Sequence, residues 1–164
     1  MTRRAARTLA RWSAIPARLR RAVAGLTAGE RRARGGSERW TPGEYVHHLA
    51  EANVVAASIV LAALGTAEPE YDWRWLVPDA AWMRRLGYRR LPPAAAIRLL
   101  DALCGHVAAV VHNVPRAMER PVRLRGSAGV RRRTVEEVFA GECAHADLHI
   151  ADIRNTRAFH RASR

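Results

Sequence analysis

Apolar and polar residues are spaced along this chain as in amphipathic helices, and long helical segments dominate the pattern. A first helix is predicted over about 12–26, with Pro16 near its start or at a kink. Thr41-Pro42-Gly43-Glu44 predicts the start of a second helix, because Thr caps, Pro suits the first turn and Glu completes a capping box. This second helix is predicted to end near Leu64, where Gly65 stops it.

The second half of the chain predicts two further long helices. Pro92 and Pro93 open a third helix, which is predicted to end near His112. Thr134-Val135-Glu136-Glu137 is another capping box and predicts a fourth helix that extends to about Arg157.

The segments between these helices are predicted to be loops. Residues 31–39, 66–91 and 116–133 connect the helices, and a short helix is expected near 80–86. No convincing period-2 alternation is present, so no strand is predicted. The fold class is therefore all-α, a four-helix bundle forming one domain over 1–164 with its core at about 12–157.

The strong positive charge of the chain raises the possibility of a nucleic-acid partner. The 28 basic residues outnumber 15 acidic residues, which gives a formal net charge of +13. All of the basic residues are arginine, and alanine is abundant, as is typical of GC-rich coding sequences. The arginines occur in separate clusters, so nucleic-acid binding is the less favoured interpretation: Arg18–Arg21, Arg31–Arg34, Arg84–Arg90 and Arg123–Arg133.

The sequence favours a cytoplasmic protein without a membrane partner. No apolar run is expected to reach the roughly 20 residues of a bilayer-spanning helix. Met1 to Arg21 is interpreted as the lead-in to the first helix rather than as a targeting segment. Cys104 and Cys143 form no CxxC pair, which indicates a reducing compartment and a packing role.

The fourth predicted helix contains the most informative chemistry. His145 and His149 are separated by one turn and lie on the same face, close enough to chelate one ion. Glu142 and Asp152 extend this polar line beside an apolar stripe, and burying such a line is costly unless a cation compensates it. The stripe consists of Phe139, Cys143, Ala146, Ile150 and Ile153.

The second predicted helix supplies a third histidine. His48 falls on the apolar face of this helix, whereas His47 is rotated by about 100° toward the edge or solvent. Three imidazoles suit zinc, nickel, copper or iron and leave coordination positions open. The other histidines have no partners at chelating spacing and are interpreted as structural or surface residues: His106, His112 and His160.

Other sites were considered for the same residues. Two ExxH spacings, Glu44 with His47 and Glu142 with His145, resemble those of di-iron bundles. A di-iron site also needs a carboxylate from each of the other two helices, and the only candidate there is Asp101. Glu44 is also better explained as the capping residue of the second helix. No GxSxG nucleophile motif or glycine-rich phosphate loop is present. The simplest alternative is that the three histidines are polar residues near the core, satisfied by hydrogen bonds or water.

The segment Trp40 to Ala50 resembles the motif of the DinB/YfiT-like family, in which a ligand histidine follows a Trp by eight positions. That histidine is His48 here, followed by Leu49-Ala50. The segment His145 to Ile150 is similar to the terminal HxxxH helix of the family, although many members have a further histidine where this chain has Leu148. The resemblance extends over about 12–157.

This resemblance implies an up-down-down-up bundle with a divalent metal held by His48, His145 and His149. Zinc or nickel is the expected metal, and iron is the next alternative. Several members of the family transfer low-molecular-weight thiols such as bacillithiol or mycothiol. Glu142, Asp152 and Glu51 are expected to orient ligand imidazoles or to accept a proton.

The working hypothesis is therefore a metal-dependent transferase, expected to be a homodimer, that activates a small thiol or water against an electrophilic substrate. The aromatic segment between helices two and three is a candidate substrate-contacting flap; it contains Trp73, Trp75, Trp82 and Tyr88. A non-catalytic bundle that binds metal or a partner is the main alternative, and an arginine-rich nucleic-acid-binding protein is a further one.

Overall fold

The computed structural model describes residues 1–36, 40–76 and 78–163, and it has a four-helix bundle with a small three-stranded sheet. The helices are α1 (Arg3–Ser13), α2 (Ile15–Val23), α3 (Ala28–Arg32), α4 (Pro42–Gly65), α5 (Ala80–Arg85), α6 (Pro93–Asn113) and α7 (Val135–Ala162). The strands are β1 (Glu70–Asp72), β2 (Pro121–Gly126) and β3 (Gly129–Thr134), and a 3-10 turn spans Ala117–Glu119. The four bundle helices are α1 with α2, then α4, α6 and α7.

The first bundle helix runs parallel to the last and antiparallel to the third. Arg4 pairs with Glu136 and Arg11 pairs with Asp147, so residue numbers rise together along α1 and α7. Toward α6 the order is reversed. Cys104 Sγ donates to the carbonyl of Trp12, and Arg20, which lies further along the first helix, pairs with the earlier residue Asp101.

The second bundle helix completes the topology. The first turns of α4 and of α6 line one cavity, where His47 and Ala50 face Ala95 and Ala96, so these two helices are parallel. The three-histidine contact joins the start of α4 to the middle of α7, while Ile59 lines a cavity with Val138 near the start of α7. These two helices are therefore antiparallel. The expected up-down-down-up arrangement is confirmed.

Both predicted capping boxes are present. The Thr41 hydroxyl accepts from the Glu44 amide at 3.3 Å, and the Glu44 carboxylate accepts from the Thr41 amide at 2.8 Å. Thr134 and Glu137 form the same pair of bonds at 3.2 and 2.7 Å at the start of α7. Each box satisfies amide donors that the first turn of a helix leaves open. The helices that present the histidines thus begin where the sequence predicts.

The first bundle helix begins earlier than predicted and is interrupted. Helix α1 starts at Arg3, capped by Thr2, and a break at Ala14 precedes Pro16. Proline lacks an amide donor and its ring clashes with the preceding turn, so the kink falls at this position. The loop predicted for 31–39 also starts late, because Arg31 and Arg32 belong to α3. Residues 37–39 of that predicted loop lie outside the described ranges.

The prediction that the chain has no strands is wrong. Strands β2 and β3 form an antiparallel hairpin closed at Gly126 and Gly129, and β1 pairs with β2 in parallel. Gly129 has φ +96, a left-handed conformation that favours glycine. Val122 and Leu124 are the only apolar alternation in β2, which is too short a signal among so many arginines.

The bundle core forms where the periodic apolar positions predict it. Trp12 is fully buried against Phe139, with ring centroids 4.6 Å apart. Its indole N–H donates to Asn53 Oδ1 at 2.7 Å, and Asn53 Nδ2 donates to the carbonyl of Leu49 at 2.8 Å. This buried amide is thus paired on both sides, which avoids the cost of an unsatisfied polar group. The stripe predicted on the fourth helix is buried throughout.

Two helices, α4 and α6, are long and apolar enough to cross a membrane by length and composition. This corrects the expectation that no such run exists. The core helix of a bundle has the same character, and most of the apolar window of α4 is buried inside the protein.

Candidate metal centre

Three histidines from two helices converge inside the bundle. One ring nitrogen from each of His48, His145 and His149 lies within 4.8 Å of the other two. The closest pair is His48 Nε2 and His145 Nε2 at 3.0 Å. Two imidazole nitrogens on one tetrahedral zinc are about 3.3 Å apart, given bond lengths of 2.0–2.1 Å. The spacing of the three donors therefore fits a single transition-metal ion.

Carboxylates on α7 contact the far sides of two imidazoles. Asp152 Oδ2 lies 2.8 Å from His149 Nδ1, and Glu142 Oε2 lies 3.5 Å from His145 Nδ1. Donation from Nδ1 to a carboxylate makes Nε2 the lone-pair nitrogen of that ring, which is the form a metal ligand needs. Asp152 therefore fixes the tautomer of His149 firmly, and Glu142 acts on His145 over a longer distance.

Aromatic rings hold the histidines from the side of α4. Trp40 packs edge-on against His48 with ring centroids 4.9 Å apart, and Tyr45 packs on His149 at the same distance. His48 is only 4% exposed. Packing on this scale restricts the imidazoles to few rotamers, so the donors are oriented by the fold itself.

A cavity of about 470 Å³ opens directly beside the histidines, and His48 and His145 form part of its lining. Most of its walls are apolar. Helices α4 and α7 supply one side, and the other comes from the two long connections, through Trp73, Leu76 and Leu124. The charged side chains that line it are Arg133, Glu137 and Glu142. A small molecule in this cavity would lie next to the rings of His48 and His145.

The sequence indicated only part of this second wall, because Trp73 belongs to the aromatic segment expected to contact substrate, whereas the contribution of the hairpin was not expected. Leu124 and Arg133 reach the cavity because they share one face of the β2–β3 hairpin, which was expected to be a loop. Trp73 packs on Gly126, where any larger residue would meet its ring at about 3.1 Å. Two features of the sequence could have indicated the hairpin: the apolar alternation of Val122 and Leu124, and the spacing of Gly126 and Gly129. Each covers too few residues to predict a strand pair.

Glu51 lies in a different set of contacts from the other two predicted carboxylates. Its carboxylate accepts from Trp82 Nε1 at 3.1 Å and from the Tyr88 hydroxyl. Burial and this carboxylate raise the pKa of Tyr88 above its usual value. Through these two hydrogen bonds, Glu51 of α4 holds α5 and the segment after it against α4. Its role toward the histidines stays a prediction.

His47 is buried, which corrects the expectation that it faces the edge or solvent. Its ring stacks on Tyr88 with centroids 4.6 Å apart, and burial lowers the pKa of His47 despite a hydrogen bond to the backbone of Leu91. The connection over 80–91 covers the outer side of α4, which helical phase alone could not show. His47 does not belong to the three-histidine cluster, as expected, and Glu44 acts as a cap, as expected.

Cys104 and Cys143 are both buried, and burial raises the pKa of Cys104 to about 12 and that of Cys143 above its usual value. The thiolate is the reactive form, so we expect neither thiol to react with iodoacetamide at pH 8 in the folded protein. Intact-mass measurement before and after denaturation checks this: two alkylated thiols are expected only once the chain is unfolded. Rapid labelling of the native protein would contradict it.

The fold and this cluster together define a class of protein: a four-helix bundle with a candidate three-histidine metal centre beside an apolar cavity. A family model confirms the particular family. Residues 11–153 match the DinB superfamily, and the chain belongs to that superfamily.

Solved structures show the same fold. The chain superimposes on YfiT from Bacillus subtilis, described as a probable metal-dependent hydrolase with an unusual four-helix bundle topology, with a TM-score of 0.82 and 20% identity. The match covers 95% of this chain and 87% of YfiT.

A mycothiol-dependent maleylpyruvate isomerase gives a TM-score of 0.65 at 14% identity. That match covers 93% of this chain and 63% of the isomerase, so the chain spans less than two thirds of its length. A sequence comparison with curated proteins finds no significant match.

Proposed function

We propose that this protein is a metal-dependent enzyme that directs a small thiol or water against an electrophilic substrate held in the cavity beside the histidines. The ligands would be His48, His145 and His149, and the ion a divalent transition metal, with zinc or nickel ahead of iron. One observation above all supports this: three imidazole donors lie within 4.8 Å of one another and two of them face a cavity of about 470 Å³.

The donor set suits this chemistry. Three neutral imidazoles leave at least one coordination position open, as catalytic sites do. When bound, such an ion lowers the pKa of a thiol or water and so supplies a nucleophile near neutral pH.

The side chains around the cavity have separate proposed roles. Asp152 holds His149 in the ligand tautomer, while Glu142 lines the cavity and is placed to accept a proton from the incoming nucleophile. Glu51 is proposed as a positioning residue, because it holds Trp82 and Tyr88. The apolar walls would exclude water and bind the body of the substrate.

The two similar solved structures favour different nucleophiles. The isomerase is described as mycothiol-dependent, which favours a low-molecular-weight thiol. YfiT is described as a probable hydrolase, which favours water. The buried state of both cysteines favours an external thiol over one from the chain, because neither thiol reaches the cavity lining.

We expect the metal-loaded protein to accelerate conjugation of a small thiol to a generic electrophile such as monochlorobimane. Chelation and His145→Ala should both abolish the acceleration, and His106→Ala, at an exposed histidine of α6, should leave it unchanged. Fluorescence of the conjugate measures the rate. A parallel assay with an activated ester and no thiol tests water as the nucleophile.

Absence of turnover with either nucleophile would contradict an enzymatic role. If the protein nevertheless binds one metal ion per chain, the alternative of a non-catalytic metal-binding bundle would replace the proposal. Turnover that survives both chelation and His145→Ala would place the activity elsewhere.

A further inference from the structure

Six arginines that are distant in the sequence meet on one part of the surface. They line two cavities of about 430 and 170 Å³, and the two cavities share Arg89 and Arg90. We call this surface the arginine cleft. It combines two clusters that are about 50 positions apart in the sequence, and its arginines are Arg31, Arg32, Arg34, Arg84, Arg89 and Arg90.

No ion pair among the described residues compensates the positive charge of the cleft. In the ranges that the structure describes, the ion pairs of arginine involve ten other arginines and none of these six. Arg89 Nε instead donates to the carbonyl of Arg32 at 2.9 Å, and Arg32 Nε donates to the carbonyl of Ala28 at 3.0 Å. Carbonyl oxygens are neutral, so these bonds position the guanidinium groups and leave their charge in place.

Among the described residues of the lining, the only carboxylate is that of Glu44, against six guanidinium groups. Glu44 lines the larger cavity, where its carboxylate accepts from the Thr41 amide in the capping box of α4. The carboxylate of Asp79 accepts a hydrogen bond from the Trp82 amide and so caps α5. This bond lowers the pKa of Asp79, and the nearby charge of Arg84 adds to the effect. Like charges held close together repel, and a bound anion would remove that repulsion.

We propose that the arginine cleft binds a small oxyanion with two or more negative charges, of the phosphate or diphosphate type. Guanidinium groups match phosphate oxygens with paired hydrogen bonds, and several converging on one cavity suit a compact polyanion. A nucleic acid would instead need an extended basic stripe along its backbone. The six arginines surround two small concave cavities of about 430 and 170 Å³, and this shape favours the small ligand.

This site is separate from the candidate metal centre. None of the six arginines lines the cavity beside the histidines. Trp40 links the two sites, because it lines the cleft and packs against His48 and His149 with centroids 4.9 and 5.9 Å apart. Anion binding therefore does not depend on the proposed enzymatic activity, and failure of one leaves the other standing.

The experiment is isothermal titration of chelator-treated protein with inorganic diphosphate at 0.15 M salt. We expect saturable binding at one site in the wild type. Arg84→Gln with Arg90→Gln should weaken it about 100-fold, at roughly tenfold per charged hydrogen-bonding partner. The matched control is Arg98→Gln with Arg154→Gln, which removes the same charge from exposed arginines of α6 and α7 and should bind as the wild type does.

Three results would overturn the proposal. Equal weakening in the control pair would mean that diphosphate responds only to net charge. Loss of binding in His145→Ala would place the anion at the histidines. Tighter binding of a DNA oligonucleotide of about 20 bases, with a steep dependence on salt, would make the cleft a nucleic-acid surface. Single variants Arg34→Gln and Arg84→Gln, at exposed positions, test the same site if the double variant fails to fold.

Discussion

Replacing His145 with alanine is expected to lower the bound metal from about one ion per chain to an undetectable amount. His145 supplies one of the three candidate donor nitrogens, 3.0 Å from that of His48, and its loss leaves two imidazoles for the ion. Two ligands on different helices hold a divalent ion far more weakly than three. Elemental mass spectrometry of purified wild type and variant, after reconstitution with zinc, nickel or iron in turn, measures the difference.

The loss of bound metal should be smaller for a residue that only orients a ligand histidine than for a ligand itself. Asp152→Asn keeps all three imidazoles but removes the charged acceptor on His149 Nδ1, so metal affinity should fall about 10–100-fold rather than vanish. His106→Ala should have no effect, because His106 is exposed on α6. Full metal content in His145→Ala, or equal loss in all three variants, would refute the three-histidine centre.

Trp12→Ala is expected to cost the bundle about 3–5 kcal/mol of unfolding free energy. Trp12 is fully buried against Phe139, and its removal leaves a large cavity where all four bundle helices meet. It also removes the donor to Asn53 Oδ1, which then lies buried without that bond. Urea denaturation followed by circular dichroism gives the free energy.

Trp75→Ala is the matched control for this variant, because Trp75 is 59% exposed. Its unfolding free energy should lie within about 0.5 kcal/mol of wild type. Trp12→Phe should fall between the two, since it keeps much of the packing and loses the bond to Asn53. Similar losses in Trp12→Ala and Trp75→Ala would contradict the assignment of Trp12 to the core.

Much of the bundle could be predicted because its determinants are local. The capping pairs Thr41/Glu44 and Thr134/Glu137 mark helix starts within one residue. The histidine spacing on α7 places two donors on one face regardless of the rest of the fold. His48 is buried on α4, as its helical phase predicts, although its neighbours His47 and Leu49 are buried as well.

The parts that could not be predicted depend on contacts between distant segments. His47 is buried because the connection over 80–91 folds back over α4, which no local pattern encodes. The hairpin has only Val122 and Leu124 as apolar alternation, and its arginines obscure even that signal. The arginine cleft is formed by segments about 50 positions apart, so the sequence shows its two halves as unrelated clusters.

The pairing of β1 with β2 has a consequence for how this protein could diversify. The strands belong to the two long connections that follow α4 and α6, and together these connections form one wall of the cavity, opposite the helices that present the histidines. Substitutions in the connections would reshape that wall without moving the imidazoles. Under the proposed function, exchanging these connections between superfamily members would change the substrate range while the three histidines stay in place.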